Sequence, residues 1–170
     1  MKLKTAILTI SDRSSRGERE DRSGPALQKA VESQGWEVSG MEIIPDEKAV
    51  IQQHLIRWAD SGEHEVILTT GGTGFSPRDV TPEATRSVLD RKAPGLAEAM
   101  RAASLKITPH AMLSRAEAGM RRQALIVNLP GSPQGAVENF LVIAEVLPHA
   151  VELLQEQKSA ESGHRLSASG

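Results

Sequence analysis

The chain has 170 residues, 39% of them hydrophobic and 25% charged, and its formal net charge is −2 with acids and bases interspersed. That composition supports one domain with a packed core and excludes chain-wide disorder; it lacks the basic stripe of a general nucleic-acid binder. With Trp36, Trp58, Phe75 and Phe140 as the aromatics, the core is built from Val, Ile, Leu and Ala, and no platform exists for stacking single strands; absence of cysteine rules out disulfides, thiolate zinc sites and cysteine nucleophiles.

The start, Met1 to Ile10, is too short and too soon charged for a signal peptide or a membrane span, so a cytoplasmic location is expected. Lys4 to Ile10 reads as a buried strand ending at Ser11-Asp12. A long polar loop runs to Arg22. Ser23 is then predicted to cap a helix with Pro25 in its first turn, closed by Gly35. Trp36 to Ile44 is a second strand. Asp46 opens a helix with Val50, Ile51, Leu55 and Trp58 at helical spacing, stopped by Gly62. Glu65 to Thr70 is a third strand that runs into Gly71-Gly72-Thr73-Gly74. Thr81-Pro82-Glu83, a cap followed by proline and an acid, starts a further helix. Pro94-Gly95 breaks the chain before a helix from Leu96 to Ile107. Residues 108–122 carry no decisive pattern. Gln123 to Leu129 is a fourth strand, followed by Pro130-Gly131-Ser132-Pro133; Ala136 to Gln157 is helical with an interruption near Pro148. The Ser-, Ala- and Gly-containing stretch from Lys158 is expected to be a mobile tail behind a single domain of residues 1–157.

Strands alternating with helices predict an α/β fold of three layers, a mostly parallel sheet with helices on both faces. In such sheets ligands bind beyond the carboxyl ends of the strands. The informative residues all follow strands: Asp12-Arg13, Asp46, Gly71 to Asp79, and Pro130 to Gly135. One edge of one sheet therefore gathers them.

Glycines in Gly71-Gly72-Thr73-Gly74 let N–H groups approach an anion, and the hydroxyls of Thr69 and Thr70 are expected as additional donors. No Gly-Lys-Ser/Thr follows, so this is not a P-loop, and Pro77 replaces the third glycine of a dinucleotide fingerprint. A tight strand-to-helix turn explains the cluster equally well. Asp79 lies two residues before the expected cap. An acid beside a phosphate loop suits a Mg²⁺ ligand, the alternative being a solvated acid paired with Arg78. For Asp46 a helix cap is the plainer reading, and a metal role can coexist with it. Arginine forks suit phosphate or carbonyl oxygens, which selects Arg115 from the unassigned region. His54, His64, His110, His149 and His164 show no ligand spacing and read as surface or boundary residues.

Ile10-Ser11-Asp12-Arg13, Pro45-Asp46-Glu47, Thr70 to Gly74 with Arg78-Asp79-Val80-Thr81-Pro82-Glu83-Ala84, Ser114-Arg115, and Leu129-Pro130-Gly131-Ser132-Pro133 occur in one order. Together they resemble the molybdopterin adenylyltransferase family of molybdenum-cofactor proteins, from about residue 4 to about residue 155. The resemblance implies that family's fold and its reaction, transfer of AMP from ATP to the terminal phosphate of molybdopterin. It implies Asp79 and Asp46 as Mg²⁺ ligands and catalytic residues. It implies that Ser11, Asp12, Gly71, Gly72, Thr73, Gly74, Ser114, Arg115, Pro130, Gly131 and Ser132 bind the substrates ATP and molybdopterin. It further implies a homotrimer and a transient contact with the molybdenum-insertion protein, with no nucleic-acid or membrane partner. Paralogues that bind pterin without adenylylating it often depart from the Pro-Asp-Glu and Arg-Asp-Val-Thr-Pro segments, both kept here. Ser114-Arg115-Ala116-Glu117 departs slightly from the commoner small-residue version. A non-catalytic pterin-binding or scaffold protein of the same fold is the alternative. The metal-insertion branch adds domains for which 170 residues leave no room.

Overall fold

In the computed structural model, which describes residues 1–155, four strands form the parallel heart of a six-stranded sheet. These are β1 (Lys4–Ile10), β2 (Glu37–Ile44), β3 (Val66–Thr70) and β6 (Ala124–Leu129). Two further strands, β4 (Arg91–Lys92) and β5 (Ala118–Arg121), complete the order β2-β1-β3-β6-β5-β4. Both pair antiparallel, β5 on β6 and β4 on β5, so the expected four-strand sheet gains two short edge strands and becomes mixed.

Helices α2 (Ser23–Ser33), α5 (Pro94–Leu105) and α6 (Pro133–Ala144) cover one face, and α3 (Lys48–Ser61) and α4 (Thr81–Val88) the other. Side chains alternate across a strand, so β1 sends Ile7 into one core and Ala6, Leu8 and Ile10 into the other. Leu27, Val31, Leu68, Leu129 and Phe140 fill the first core; Ile51, Leu55, Ile67 and Ile126 fill the second. Trp36 meets Phe140 edge-to-face at 5.7 Å between centroids. A last helix begins at residue 147, with Pro148 in its first turn where a missing N–H costs little, and contributes Leu147, Val151 and Leu154 to the first core. The expected domain end at 157 and the tail 158–170 lie outside the described residues.

Several expected helix starts are different in detail. The polar loop after β1 contains a single helical turn, α1 (Asp12–Ser15), capped by Ser11, whose Oγ accepts from Ser14 N–H. α2 begins at Ser23 rather than after it, and the Ser23 hydroxyl donates instead to Gly131 O at 2.8 Å. The side chain that serves the start of α2 is Asp21, accepting from Gly24 N–H at 3.1 Å. Thr81 is likewise inside its helix, and its hydroxyl donates to Gly71 O at 2.9 Å. Pro94 is the first residue of α5, not a break before it. For Ser23 and Thr81, residue type suggested a local cap, and a long-range bond of the same hydroxyl won. Gly35 and Gly62 do end their helices, with φ of 78° and 74°.

Register carries these details to the site. Thr9, Thr70 and Leu129 stand side by side across β1, β3 and β6, so these strands end at one level. Ser11 N–H then donates to Ile44 O, bringing the end of β2 to the same edge. Among the described residues no helix is long and apolar enough to cross a membrane.

Candidate active site

Two clefts adjoin along that edge. The first, of about 430 Å³, is lined by residues including Ser11, Asp46, Gly71, Gly72, Asp79, Gly131 and Ser132. The second, of about 480 Å³, is lined by Gly72, Thr73, Gly74, Asp79, Ser114 and Pro130, among others, together with Ile107, Leu113 and His110. Gly72, Asp79, Gly131 and Ser132 belong to both and form a shared wall.

The glycine loop on that wall is oriented by its carbonyls. Gly71 O accepts from Thr81 Oγ1, Gly72 O from Thr81 N–H at 3.1 Å, Thr73 O from Arg115 N–H at 2.9 Å, and Gly74 O from Arg115 Nε at 2.8 Å. Four successive carbonyls are thus held from behind. Gly71 N–H is used by Leu129 O at 3.2 Å, but among the described residues the N–H groups of Gly72, Thr73 and Gly74 donate to no protein atom, nor do those of Gly131 and Ser132. N–H groups left without a protein acceptor beside a cleft are the kind that can take an anion. Glycine is required here for space and conformation. At Gly71, φ is 105° and a Cβ would overlap Ile10 O; at Gly72, φ is 69° and a Cβ would overlap Thr81 Oγ1 and stand 3.0 Å from Asp46 Oδ1.

The expected hydroxyl donors of Thr69 and Thr70 are not available to a ligand. Thr70 Oγ1 donates to Pro130 O at 2.7 Å, and Thr69 Oγ1 accepts from the buried Asn128 Nδ2 at 2.9 Å. Asn128 also donates to Thr85 Oγ1 and accepts from Glu117 N–H, so its amide ties β3, α4 and the start of β5 together. These polar groups fix the loops; the backbone faces the cleft.

Asp46 does not cap α3, whose first N–H groups follow Glu47. Its Oδ2 accepts from Asp12 N–H at 2.9 Å, while Asp12 Oδ1 accepts from Asp46 N–H at 3.0 Å, a reciprocal clasp between the loops after β1 and β2. Burial raises the pKa of Asp46 above its ordinary value, and the negative charges of Asp12 and Asp79 push in the same direction against the hydrogen bond from Asp12. Asp79 Oδ2 accepts from Ser76 N–H at 3.0 Å. Each aspartate therefore has one oxygen tied to the protein. The other oxygen, Oδ1 in both, has no hydrogen-bond donor among the described residues.

Arg78 is not the partner of Asp79. It makes a bidentate pair with Asp12, Nε to Oδ2 at 2.9 Å and Nη2 to Oδ1 at 3.0 Å, and reaches Glu47 at 3.1 Å. Its hydrogen bond is the main reason the Asp12 pKa is lowered. Asp12 thus stands behind the cleft, holding the loops rather than lining it.

Arg115, expected at a ligand, also faces the protein. Besides Nε to Gly74 O, its Nη2 donates to Asp79 O at 2.8 Å and its Nη1 pairs with Glu83. One guanidinium bolts both ends of the segment from Gly74 to Asp79. Burial raises the Glu83 pKa, but the hydrogen bond from Arg115, its own backbone N–H and the charges of Arg115 and Arg86 outweigh it, and the net shift is downward. Ser114 does line the second cleft, steadied by Arg101 Nη1, which donates to its carbonyl at 3.3 Å.

Of the expected site residues, then, the structure brings Ser11, Asp46, Gly71, Gly72, Thr73, Gly74, Asp79, Ser114, Pro130, Gly131 and Ser132 to the two clefts, and puts Asp12 and Arg115 behind them. Asn139 and His110 in the second cleft, and Arg19, Asp21 and Arg22 in the first, were missed. The arginines at 13, 16, 19 and 22 recur every third residue, the one pattern that pointed to them. His64 is not a surface residue: it is 6% exposed, its Nδ1 2.7 Å from Ser39 Oγ and its ring against Trp58.

Among the described residues no three or more His, Asp or Glu side chains converge to hold a metal by themselves. That suits Mg²⁺, which takes one or two carboxylates and fills its shell with phosphate oxygens and water. The two free carboxylate oxygens and the unfavourable charge on Asp46 fit such an ion.

Residues 6–149 match the family described as "Probable molybdopterin binding domain". The chain is 41% identical to the molybdopterin adenylyltransferase of Helicobacter pylori (strain J99 / ATCC 700824), over 87% of this chain and 85% of that protein. It is 46% identical to the molybdenum cofactor synthesis protein cinnamon of Drosophila melanogaster, over 90% of this chain but only 26% of that protein. Like the similarly matched gephyrin of Dictyostelium discoideum, cinnamon is a protein of which this chain spans about a quarter. The crystal structure of the molybdopterin biosynthesis enzyme MoaB from Thermus thermophilus superposes with a TM-score of 0.85 at 49% identity, covering 89% of this chain and 96% of that one. On fold, motif order and sequence identity, the chain belongs to this molybdopterin-binding domain family of molybdenum cofactor biosynthesis.

Proposed function

We propose that this protein is a molybdopterin adenylyltransferase: the terminal phosphate of molybdopterin attacks the α-phosphorus of ATP, a P–O bond forms, the α–β bridging bond breaks, and pyrophosphate leaves. The observation that carries the reading is the glycine loop, whose carbonyls are held from behind while its N–H groups stay unpartnered between two clefts and two aspartates. Two adjoining clefts suit two substrates that meet at their phosphates.

A phosphate monoester is already anionic at neutral pH, so no general base is needed. The barrier is bringing two anions together in line, which oriented donors and positioning lower. Gly72, Thr73 and Gly74 N–H groups would hold phosphate oxygens, with Gly131 and Ser132 N–H groups opposite. Asp46 and Asp79 would hold Mg²⁺, which, when bound, supplies charge neutralisation between the phosphates. Asp12, Arg78 and Arg115 keep those carboxylates and N–H groups in place. Ser114 and the apolar side of the second cleft, Ile107 and Leu113, suit the edge and face of a flat ring. A homotrimer, a cytoplasmic location and a transient contact with the molybdenum-insertion protein go with this reading through the family resemblance.

The test is incubation with ATP, Mg²⁺ and molybdopterin, following pyrophosphate and the mass of the pterin product. The reading requires stoichiometric pyrophosphate and an adenylylated pterin. Tight pterin binding with neither product would leave the scaffold alternative standing.

A further inference from the structure

The lining of the two clefts is short of positive charge for a site that must take two phosphate-bearing molecules. In the first cleft the acids Glu20, Asp21, Asp46 and Asp79 face only two cationic side chains, Arg19 and Arg22. The second has no lysine or arginine. Of the other arginines near the strand ends, Arg16 pairs with Glu18, Arg78 with Asp12 and Glu47, and Arg115 with Glu83 and the loop carbonyls, while Arg13 is exposed and lines neither cleft. Arg19 makes no ion pair or side-chain hydrogen bond among the described residues, and Arg22 has only a 3.7 Å approach to Glu20 with its side chain 77% exposed. Two uncommitted guanidinium groups therefore hang from the segment between α1 and α2 over the first cleft. The root of that segment is fixed, because Asp21 accepts from Thr9 Oγ1 at 2.8 Å and from Gly24 N–H, while Ser23 donates to Gly131 O.

We infer that Arg19 and Arg22 bind the β- and γ-phosphates of the nucleotide and then the departing pyrophosphate, which makes the first cleft the pyrophosphate side of the site. The inference rests on the adenylyl-transfer reading. Pyrophosphate is the most highly charged species in that reaction, and planar guanidinium forks match its oxygens. Solvent-exposed arginines also allow it to leave. Both side chains touch the leaving pyrophosphate rather than the bond being made, so they bind the nucleotide and offset the charge that its leaving group gains.

The test is calorimetric binding of inorganic pyrophosphate, inorganic phosphate and molybdopterin, with steady-state kinetics, for the wild-type chain and for the double variant Arg19→Ala/Arg22→Ala. Arg91→Ala, on the far edge strand, controls for loss of charge. The double variant should weaken pyrophosphate binding and raise the KM for ATP by about 10- to 100-fold, as loss of charge-assisted hydrogen bonds does. Its molybdopterin affinity should stay within about twofold of wild type, while kcat falls as well, because the two cations offset the charge that the leaving group gains. Arg19→Lys/Arg22→Lys should recover most of the loss. Unchanged pyrophosphate affinity in the double alanine variant overturns the inference, and so does weakened molybdopterin binding in its place. A wild-type chain that binds pyrophosphate through these arginines but forms no adenylylated pterin would keep the anion site and remove the adenylyl-transfer reading instead.

Discussion

Replacing Arg115 by lysine keeps the charge but removes the fork that spans Gly74 O and Asp79 O. A single ammonium can stay with Glu83 or reach one carbonyl, so one or both charge-assisted hydrogen bonds at 2.8 Å are lost. Bonds of that kind contribute about 1.5–3 kcal/mol each. The Arg115 side chain is one-third exposed, which discounts the loss to about 2 kcal/mol. Both bonds belong to one segment, so the cost should fall on opening of residues 74–79 rather than on the whole fold, and the open population should rise about 30-fold. Arg78 lies inside that segment and gives the assay. Under native conditions trypsin should cut after Arg78 about 30-fold faster in the variant, measured by mass spectrometry. Turnover should fall with Asp79 loosened, while molybdopterin affinity holds. An unchanged rate of cutting at Arg78, combined with weaker pterin binding, would refute the clamp and return Arg115 to the ligand.

Asp46→Asn keeps an oxygen to accept from Asp12 N–H but removes a charge whose pKa is raised by burial. A raised carboxylate favours the folded state while protonated and loses that contribution as pH rises through its folded value, so at neutral pH the ionised group is a cost. The variant should melt no lower than wild type without Mg²⁺ and should lose the gain of about 1.4 kcal/mol, some 3–5 °C, expected at tenfold Mg²⁺ saturation; an undiminished Mg²⁺ shift in melting temperature would contradict the assignment. Gly72→Ala combines a φ of 69° with overlap on Thr81 Oγ1, and urea unfolding should report a loss of about 2–4 kcal/mol; a loss within about 0.5 kcal/mol would show that the loop is not so constrained. His64 has its pKa lowered chiefly by burial, with the Lys4 charge helping and the Glu63 charge opposing. The folded state therefore binds its proton less readily than the unfolded one, so stability is complete above 6.5 and falls as pH drops below it. His64→Gln should flatten that slope in urea midpoints between about pH 7 and pH 5, and an unaltered slope would assign it to other groups.

Three of the four parallel strands were legible as apolar, β-branched runs, β2 being more mixed in composition, and their order placed Asp46, the glycine loop and Asp79 on one edge. The short strands were not. Arg91–Lys92 is two exposed residues and Ala118–Arg121 contains a glycine, so both exist only through antiparallel pairing, β5 on β6 and β4 on β5. Caps were misjudged for a related reason. Ser23 and Thr81 have the right chemistry at the right place, but whether a hydroxyl serves its own helix or a carbonyl 108 or 10 residues away is decided by tertiary structure. The glycine loop read equally well as a turn or a cradle, and residue type does not say that its carbonyls are held from behind. Residue type could select Arg115 yet could not say which way its fork points.

The proposed adenylyl transfer would depend on a cation seated between the free oxygens of Asp46 and Asp79. Anomalous scattering from crystals grown with Mn²⁺ and a non-hydrolysable ATP analogue locates that ion directly. The prediction is a single strong peak about 2.1–2.3 Å from Asp46 Oδ1 and Asp79 Oδ1, touching nucleotide phosphate. A peak that touches neither carboxylate, with the nucleotide in place, would contradict it.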